Sequence, residues 1–136
     1  MAKEISLKNA QGFDIIKIEN IKLMFDDDFK RVVFNLSIDF EFFKAQTTLD
    51  AEEFDFLNMK ECLQKIYNRE WKSFVFNPIG EQFSIQFDLQ ETGQIKVRSK
   101  LSNPMFTGKF EIEYITDQTF IPELIKEIEI AMKENT

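Results

Sequence analysis

Residues 31–43 read RVVFNLSIDFEFF, and their regular alternation decides the predicted fold class. Every even position from Val32 to Phe42 is apolar, whereas the odd positions from Asn35 to Glu41 are polar or acidic. Successive side chains of a β-strand point to opposite faces, so this pattern predicts one long strand with a dry face and a wet face. A parallel sheet, covered on both faces, would show continuous apolar runs. The alternation therefore indicates an antiparallel sheet with one solvated face.

Strand patterns continue on both sides of this segment. Four further strands are predicted at residues 71–76, 83–89, 95–101 and 110–114. Residues 91–94 are spaced to form a hairpin, in which Gly93 is free to adopt a positive φ. Toward the N-terminus, the apolar positions of residues 13–25 change parity, which predicts a β-bulge or tight turn at Glu19 and Asn20.

Two segments follow the helical period instead, and the first covers residues 50–68. Asp50 is its predicted N-cap, and Glu53 completes a capping box that satisfies the first backbone N–H groups. The apolar stripe of this helix is predicted to contain Phe54, Leu57, Cys62, Leu63, Ile66 and Tyr67.

The second helix is predicted over about residues 120–133. Pro122 is tolerated only in a first turn, so the helix starts close to it, with Thr116 or Asp117 as its cap. A helix with one apolar stripe must bury that stripe, and the dry face of the sheet is the available partner. The sequence therefore predicts a single α+β domain over residues 1–136. It has one curved antiparallel β-sheet of about six strands, with two helices packed on one face.

The composition excludes several classes of function. The 136 residues include 24 Asp or Glu and 17 Lys or Arg, giving a net charge of −7, with no histidine and one cysteine. The chain thus lacks the commonest general base and metal ligand, and one cysteine cannot build a thiolate zinc site. Binding to a phosphate backbone needs clustered Lys and Arg, so no nucleic-acid partner is predicted. No catalytic residue, cofactor site or metal site is predicted either.

The sequence shows no targeting or membrane signal. Its first residues lack a cationic start followed by an apolar run, and no stretch approaches the roughly 18 apolar residues of a membrane span. The unpaired Cys62 suits a reducing compartment. We therefore expect a cytoplasmic protein without a membrane partner, and the sequence does not decide between a monomer and a homodimer.

Two features of the sequence could have a chemical role, but each has a simpler structural interpretation. The three aspartates at 26–28 suggest a cation site, but a calcium loop needs ligands at alternating positions, and Phe29 and Lys30 follow instead. A solvated turn is the preferred interpretation. Cys62 lies inside the apolar stripe of the first helix, which favours a buried structural thiol over a nucleophile.

Two carboxylate pairs could in principle act as acid and base in glycoside hydrolysis. They are Asp39 with Glu41, and Glu111 with Glu113. Acid catalysis requires a raised carboxyl pKa, and an exposed sheet face offers nothing to raise it. We expect cross-strand pairing with basic residues of a neighbouring strand, namely Lys96, Arg98 and Lys100.

Several stretches of the sequence occur together in a known family. They are TTLDAEEF at 47–54, GQIKV at 93–97, FEIEY at 110–114 and TDQT at 116–119. This layout resembles the small bacterial immunity proteins of the WapI type. The resemblance implies a one-domain sheet-plus-two-helix protein that binds the toxic C-terminal domain, often a nuclease, of a contact-delivered polymorphic toxin. It implies no catalytic residue, and no functional residue is carried over from the family.

The predicted contact surface is the acidic wet face of the sheet. Such a surface attracts a basic protein and speeds its encounter, which suits a basic toxin domain. No helix is expected to cover this face, and the predicted partner-binding residues are Asn35, Asp39, Glu41, Glu111 and Glu113. Two other classes stay open. The sixteen phenylalanines could enclose the pocket of a non-enzymatic small-molecule carrier, and an enzyme would need a buried carboxylate with a raised pKa.

Overall fold

A computed structural model describes residues 3–26, 29–78, 82–103, 105 and 107–133 of the chain. Within these residues it contains eight strands and two α-helices, which confirms the α+β class. The strands are β1 Glu4–Lys8, β2 Asp14–Asp26, β3 Phe29–Phe40, β4 Phe43–Glu52, β5 Ser73–Phe76, β6 Phe83–Leu89, β7 Ile95–Ser102 and β8 Lys109–Thr116. The helices are α1 Glu53–Tyr67 and α2 Ile121–Ala131, and the short 3-10 helix Gln118–Phe120 leads into α2.

The strands form two antiparallel four-stranded sheets, so the prediction of a single sheet of about six strands was wrong. The N-terminal sheet has the order β1-β2-β3-β4 and the C-terminal sheet the order β5-β6-β7-β8. Each is a meander in which successive strands are neighbours. The physical reason is that α1 follows β4 and carries the chain away before β5 begins. A period of two predicts strands, and it does not predict which strands pair.

The long strand predicted over residues 31–43 is divided by a hairpin. Strand β3 ends at Phe40, β4 begins at Phe43, and these two residues are partners in the register. Glu41 occupies the turn with a φ of 56°, a conformation that non-glycine residues adopt only rarely. Phe42 follows it in the turn, so the apolar alternation ran past the true end of the strand.

Helix α1 starts two residues later than predicted, because its N-cap is Glu52 and not Asp50. Strand β4 continues to Glu52 and passes into α1 at Glu53 without a connecting loop. The Glu52 backbone N–H donates to Asp55 Oδ2 at 3.0 Å, while Asp50 forms an ion pair with Arg31. Cys62, Leu63 and Ile66 are buried as predicted. Phe54 and Tyr67 are exposed instead, and Phe56 and Met59 complete the buried face.

Three local predictions of turns and caps are confirmed or refined. The bulge lies where expected, because the β2–β3 register shifts between Glu19 and Lys22, and Asn20 has a φ of 51°. Gly93, in the β6–β7 hairpin, has a φ of 90°. The cap assignment is refined: Asp117 Oδ1 accepts from the Thr119 N–H at 3.1 Å and caps the 3-10 helix before α2, rather than α2 itself.

Phenylalanine rings join the two sheets through α1. Phe56 on α1 is 0% exposed, and its ring centroid lies 5.6 Å from that of Phe34 in β3 and 5.3 Å from that of Phe76 in β5. Phe76 in turn packs edge-on against Phe83 at 6.3 Å. The two sheets therefore share one hydrophobic core. Among the described residues, neither helix has the length and apolar character that crossing a membrane requires.

Candidate functional site

The residues predicted to bind a partner lie on two different sheets. Asn35 and Asp39 are exposed on the outer face of β3, and Glu41 lies beyond them in the β3–β4 turn. Glu111 and Glu113 are exposed on the outer face of β8, in the C-terminal sheet. The structure thus brings together the residues of the first group along one hairpin and those of the second along one strand. It does not place all of them on the face of one sheet.

The tip of the β3–β4 hairpin presents an exposed aromatic side chain. Phe42 is 95% exposed, between Glu41 and Phe43. The base of the tip is held against the C-terminal sheet, because the ring centroids of Phe43 and Phe110 are 6.5 Å apart, as are those of Phe40 and Tyr114. The alternation had placed Phe42 on the dry face. The only sequence signal against that assignment is the pair Phe42–Phe43, which breaks the period of two.

The outer face of the N-terminal sheet carries a shallow polar depression. It has a volume of about 310 Å³ and is lined mainly by Glu19, Asn35, Ser37, Gln46 and Thr48. The Thr48 hydroxyl donates to Asn35 Oδ1 at 2.9 Å, which holds the amide across β3 and β4. Amide and hydroxyl groups arranged in this way can exchange hydrogen bonds with a polar partner surface.

Ion pairs within β8 and across to β7 neutralise Glu111 and Glu113 of the C-terminal sheet. Arg98 Nε donates to Glu113 Oε1 at 2.8 Å, and Glu111 Oε1 lies 2.8 Å from Lys109 Nζ and 3.9 Å from Lys100 Nζ. The hydrogen bond from Lys109 lowers the pKa of the Glu111 carboxyl. The expected pairing with Arg98 and Lys100 is confirmed. As a consequence, this face is a mixed charged surface rather than an acidic one.

The carboxylates of the hairpin tip are less neutralised by nearby cations than those of the C-terminal sheet. The Asp39 carboxylate and the Lys44 ammonium are 4.0 Å apart, at the outer limit of an ion pair, and both side chains are more than half exposed. An exposed pair at this separation contributes little and is screened by salt. The hairpin tip thus presents two acidic side chains, Asp39 and Glu41, close in sequence to the exposed Phe42 ring.

The groups considered for catalysis or metal binding have ordinary environments where the structure describes them. Burial is the main cause that raises the pKa of the Cys62 thiol, which makes it a weaker nucleophile. Among the described residues, no group of three or more His, Cys, Asp or Glu side chains could hold a metal ion. Asp27 and Asp28 lie outside the described residues.

The interior beneath α2 contains a cavity of about 10 Å³, bounded by both sheets and α2. Its lining includes Ser6, Tyr114 and Thr116. That volume accommodates about one water molecule, far less than the several hundred Å³ of a ligand pocket. This cavity is therefore too small for the ligand that the carrier alternative requires.

The fold is similar to that of three solved structures at low sequence identity. A guide-RNA-binding protein complex bound to a guide RNA aligns with a TM-score of 0.50 and 8% identity, over 96% of this chain and 88% of that chain. MRP1/MRP2 of Trypanosoma brucei aligns with a TM-score of 0.48 and 9% identity, over 96% and 83%. The plant transcriptional regulator PBF-2 aligns with a TM-score of 0.46 and 7% identity, over 97% and 80%. Identities this low bear on the fold alone.

The family of this chain is shown by its sequence, not by its structural similarity to other proteins. No curated protein matches the chain significantly. The model of the immunity protein WapI-like family, however, matches residues 5–134, which is nearly the whole chain. This match agrees with the resemblance carried by the segments at 47–54, 93–97, 110–114 and 116–119. The chain therefore belongs to the immunity protein WapI-like family.

Proposed function

We propose that this protein is a cytoplasmic antidote, which binds the toxic C-terminal domain of a polymorphic toxin and holds it inactive without catalysis. The observation that carries the proposal is the family match over residues 5–134. The net charge of −7 adds a physical reason for the choice of partner. A nuclease toxin binds phosphates through clustered Lys and Arg, and an acidic protein can compete for the same basic surface.

The proposed contact surface is centred on the β3–β4 hairpin. Asp39 and Glu41 supply charge, Phe42 supplies an apolar anchor, and Asn35 extends the surface onto the polar outer face of the N-terminal sheet. Interfaces commonly combine an aromatic anchor with a polar rim in this way. Glu111 and Glu113 belong to the surface as first predicted, and we expect a smaller contribution from them because neighbouring cations neutralise their charge.

The decisive test of the function is co-expression. The gene immediately upstream of this chain's gene is the first place to look for the toxin, and a large secreted protein encoded there supplies its C-terminal domain for the test. We expect expression of that domain alone to stop growth, and its expression together with this chain to restore growth. Arrested growth in the presence of the folded chain would refute the proposal. A catalytically inactive form of the same domain then serves for binding measurements.

Charge reversal at the hairpin tests the proposed surface. The double substitution Asp39→Lys and Glu41→Lys is expected to weaken binding to the inactive toxin domain by more than tenfold, because it replaces two attractive charges by repulsive ones. Association of the wild-type chain is expected to slow as salt rises. Isothermal calorimetry and stopped-flow mixing measure the two effects.

The matched control is Glu123→Lys with Glu129→Lys on α2, which changes the net charge by the same amount at two exposed positions. The control variant should retain nearly full affinity. If both variants bind equally weakly, overall charge rather than the hairpin governs the encounter. If the hairpin variant keeps wild-type affinity, this surface is not the contact.

A further inference from the structure

Strand β4 forms an open edge of the N-terminal sheet, among the described residues. It is the last strand in the order β1-β2-β3-β4. The opposite edge, β1, is closed by α2, because the Ser6 backbone N–H donates to Glu127 Oε1 at 2.8 Å. Unpaired strand edges are ready templates for another strand, and proteins usually cover them. Because one edge of this sheet is covered and the opposite edge is not, β4 is a candidate binding edge.

The register shows which main-chain groups point outward from β4. A two-residue turn is closed by a hydrogen-bonded pair, here Phe40 and Phe43, and bonded and non-bonded pairs alternate from there. The β3–β4 register runs from that pair to Arg31 and Glu52 without a shift. The N–H and C=O groups directed away from β3 therefore belong to Lys44, Gln46, Thr48 and Asp50.

Two adjoining clefts run along this edge. One has a volume of about 420 Å³ and is lined by Gln46 and Thr47 on β4 and by Leu101 and Phe110 of the C-terminal sheet, among others. The other has a volume of about 320 Å³ and is lined by Val33, Thr48, Leu49, Asp50 and Gln82. Gln82 lines both clefts, so they form one groove beside β4.

The chemistry of the groove suits an extended polypeptide. Its outer wall offers main-chain donors and acceptors at every second residue, a spacing of about 7 Å that an extended backbone matches. Its C-terminal-sheet side offers the partly apolar surface of Leu101 and Phe110. Asp50 is paired with Arg31, and Lys109 with Glu111, so the charges along the groove are largely compensated.

We propose that the toxin domain adds an extended strand to β4, with alternate apolar side chains over Leu101 and Phe110. This inference rests on the proposed function, since it names how the same partner is held. The groove is continuous with the hairpin tip, because Phe43 both begins β4 and packs on Phe110. Charge guides the encounter and the Phe42 ring anchors the hairpin tip, and main-chain hydrogen bonds along β4 then fix the register of the complex.

Proline substitutions test strand addition, because proline removes a backbone N–H. Gln46→Pro and Thr48→Pro remove outward N–H groups and leave the β3–β4 ladder intact. Each is expected to weaken binding of the inactive toxin domain by about tenfold. The substitution removes one hydrogen bond and leaves the partner's carbonyl facing a proline ring. Gln46→Ala and Thr48→Ala remove the same side chains but keep the N–H, so each is expected to lose less affinity than the proline at the same position.

Val75→Pro on the edge strand β5 controls for the general effect of placing a proline in an edge strand. The Leu89 N–H donates to the Lys72 carbonyl at 2.7 Å, and by alternation from that pair the Val75 N–H also points outward. Val75→Pro should match the β4 prolines in thermal stability and keep full affinity. Equal losses from all three prolines, or no loss from the β4 prolines, would overturn strand addition.

Amide hydrogen exchange of the unmodified chain gives a second readout that does not depend on folding of the variants. Addition of the inactive toxin domain should slow exchange at Lys44, Gln46, Thr48 and Asp50, and unchanged exchange there would overturn the inference. If the wild-type chain does not bind the domain, the proposed function and the inference both fail. If it binds and only the proline and exchange results are negative, strand addition alone fails. A wild-type dimer that the β4 prolines convert to monomers with full toxin affinity would instead assign the groove to a second copy.

Discussion

We expect Phe56→Ala to lower the free energy of unfolding by about 3–5 kcal/mol, since removal of a buried phenyl ring loses its burial and leaves a cavity. Phe56 is 0% exposed and touches Phe34 in one sheet and Phe76 in the other, so the cavity would open where the two sheets meet. The rigid core leaves little room for collapse around it. Urea unfolding followed by circular dichroism measures the loss.

Phe54→Ala is the matched control for this stability prediction. Phe54 lies two residues earlier on the same helix and is 68% exposed, so its replacement should change the free energy of unfolding by less than about 0.5 kcal/mol. A loss below about 1 kcal/mol for Phe56→Ala would contradict the description of this ring as the joint between the sheets. A loss at Phe54 as large as at Phe56 would show that α1 buries the face predicted from the sequence.

Phe42→Ala is expected to weaken binding of the inactive toxin domain by about thirtyfold, or about 2 kcal/mol, while leaving the stability of the free chain unchanged. The ring is 95% exposed in the free protein, so it loses almost no intramolecular contact when removed. Aromatic anchors of this kind commonly dominate interface energies. Surface plasmon resonance with the immobilised toxin domain would report the loss, chiefly as faster dissociation.

Phe54 again provides the comparison. It lies in the first turn of α1, beyond the far end of β4 and about 30 Å from the hairpin tip by the rise of a strand. Phe54→Ala should bind like the wild type if the hairpin tip is the contact. If Phe54→Ala loses more affinity than Phe42→Ala, the partner occupies the opposite end of the N-terminal sheet.

The elements that could be predicted from the sequence are those that bury one face. Alternation predicted β6, β7 and β8, and the change of parity predicted the bulge at Asn20, because burial imposes a period on the side chains. The turn at Glu41 was missed because Gly or Asn usually occupies a turn position with a left-handed backbone, and Glu rarely does. The last residues of β4 were assigned to the helix because the run at 50–53, DAEE, reads equally well as the acidic first turn of a helix.

The candidate site was only partly predictable for a related reason. The pairing of Arg98 with Glu113 follows from charge alternation on neighbouring strands, so the sequence predicted it. The exposure of Phe42 depends on where a hairpin turns, and the open edge of β4 depends on the order of strands. The alternation of apolar and polar side chains predicts neither property, because both depend on how the backbone of the whole chain folds.

The direct passage from β4 into α1 has a mechanical consequence. A flexible connection lets two elements open separately, and here the chain runs from Glu52 to Glu53 with none. The edge strand and the helix that carries Phe56 should therefore open as one cooperative unit. Tension applied at β4 by a bound strand would therefore be transmitted through α1 to the Phe34–Phe56–Phe76 contacts, so the binding edge is anchored in the centre of the molecule.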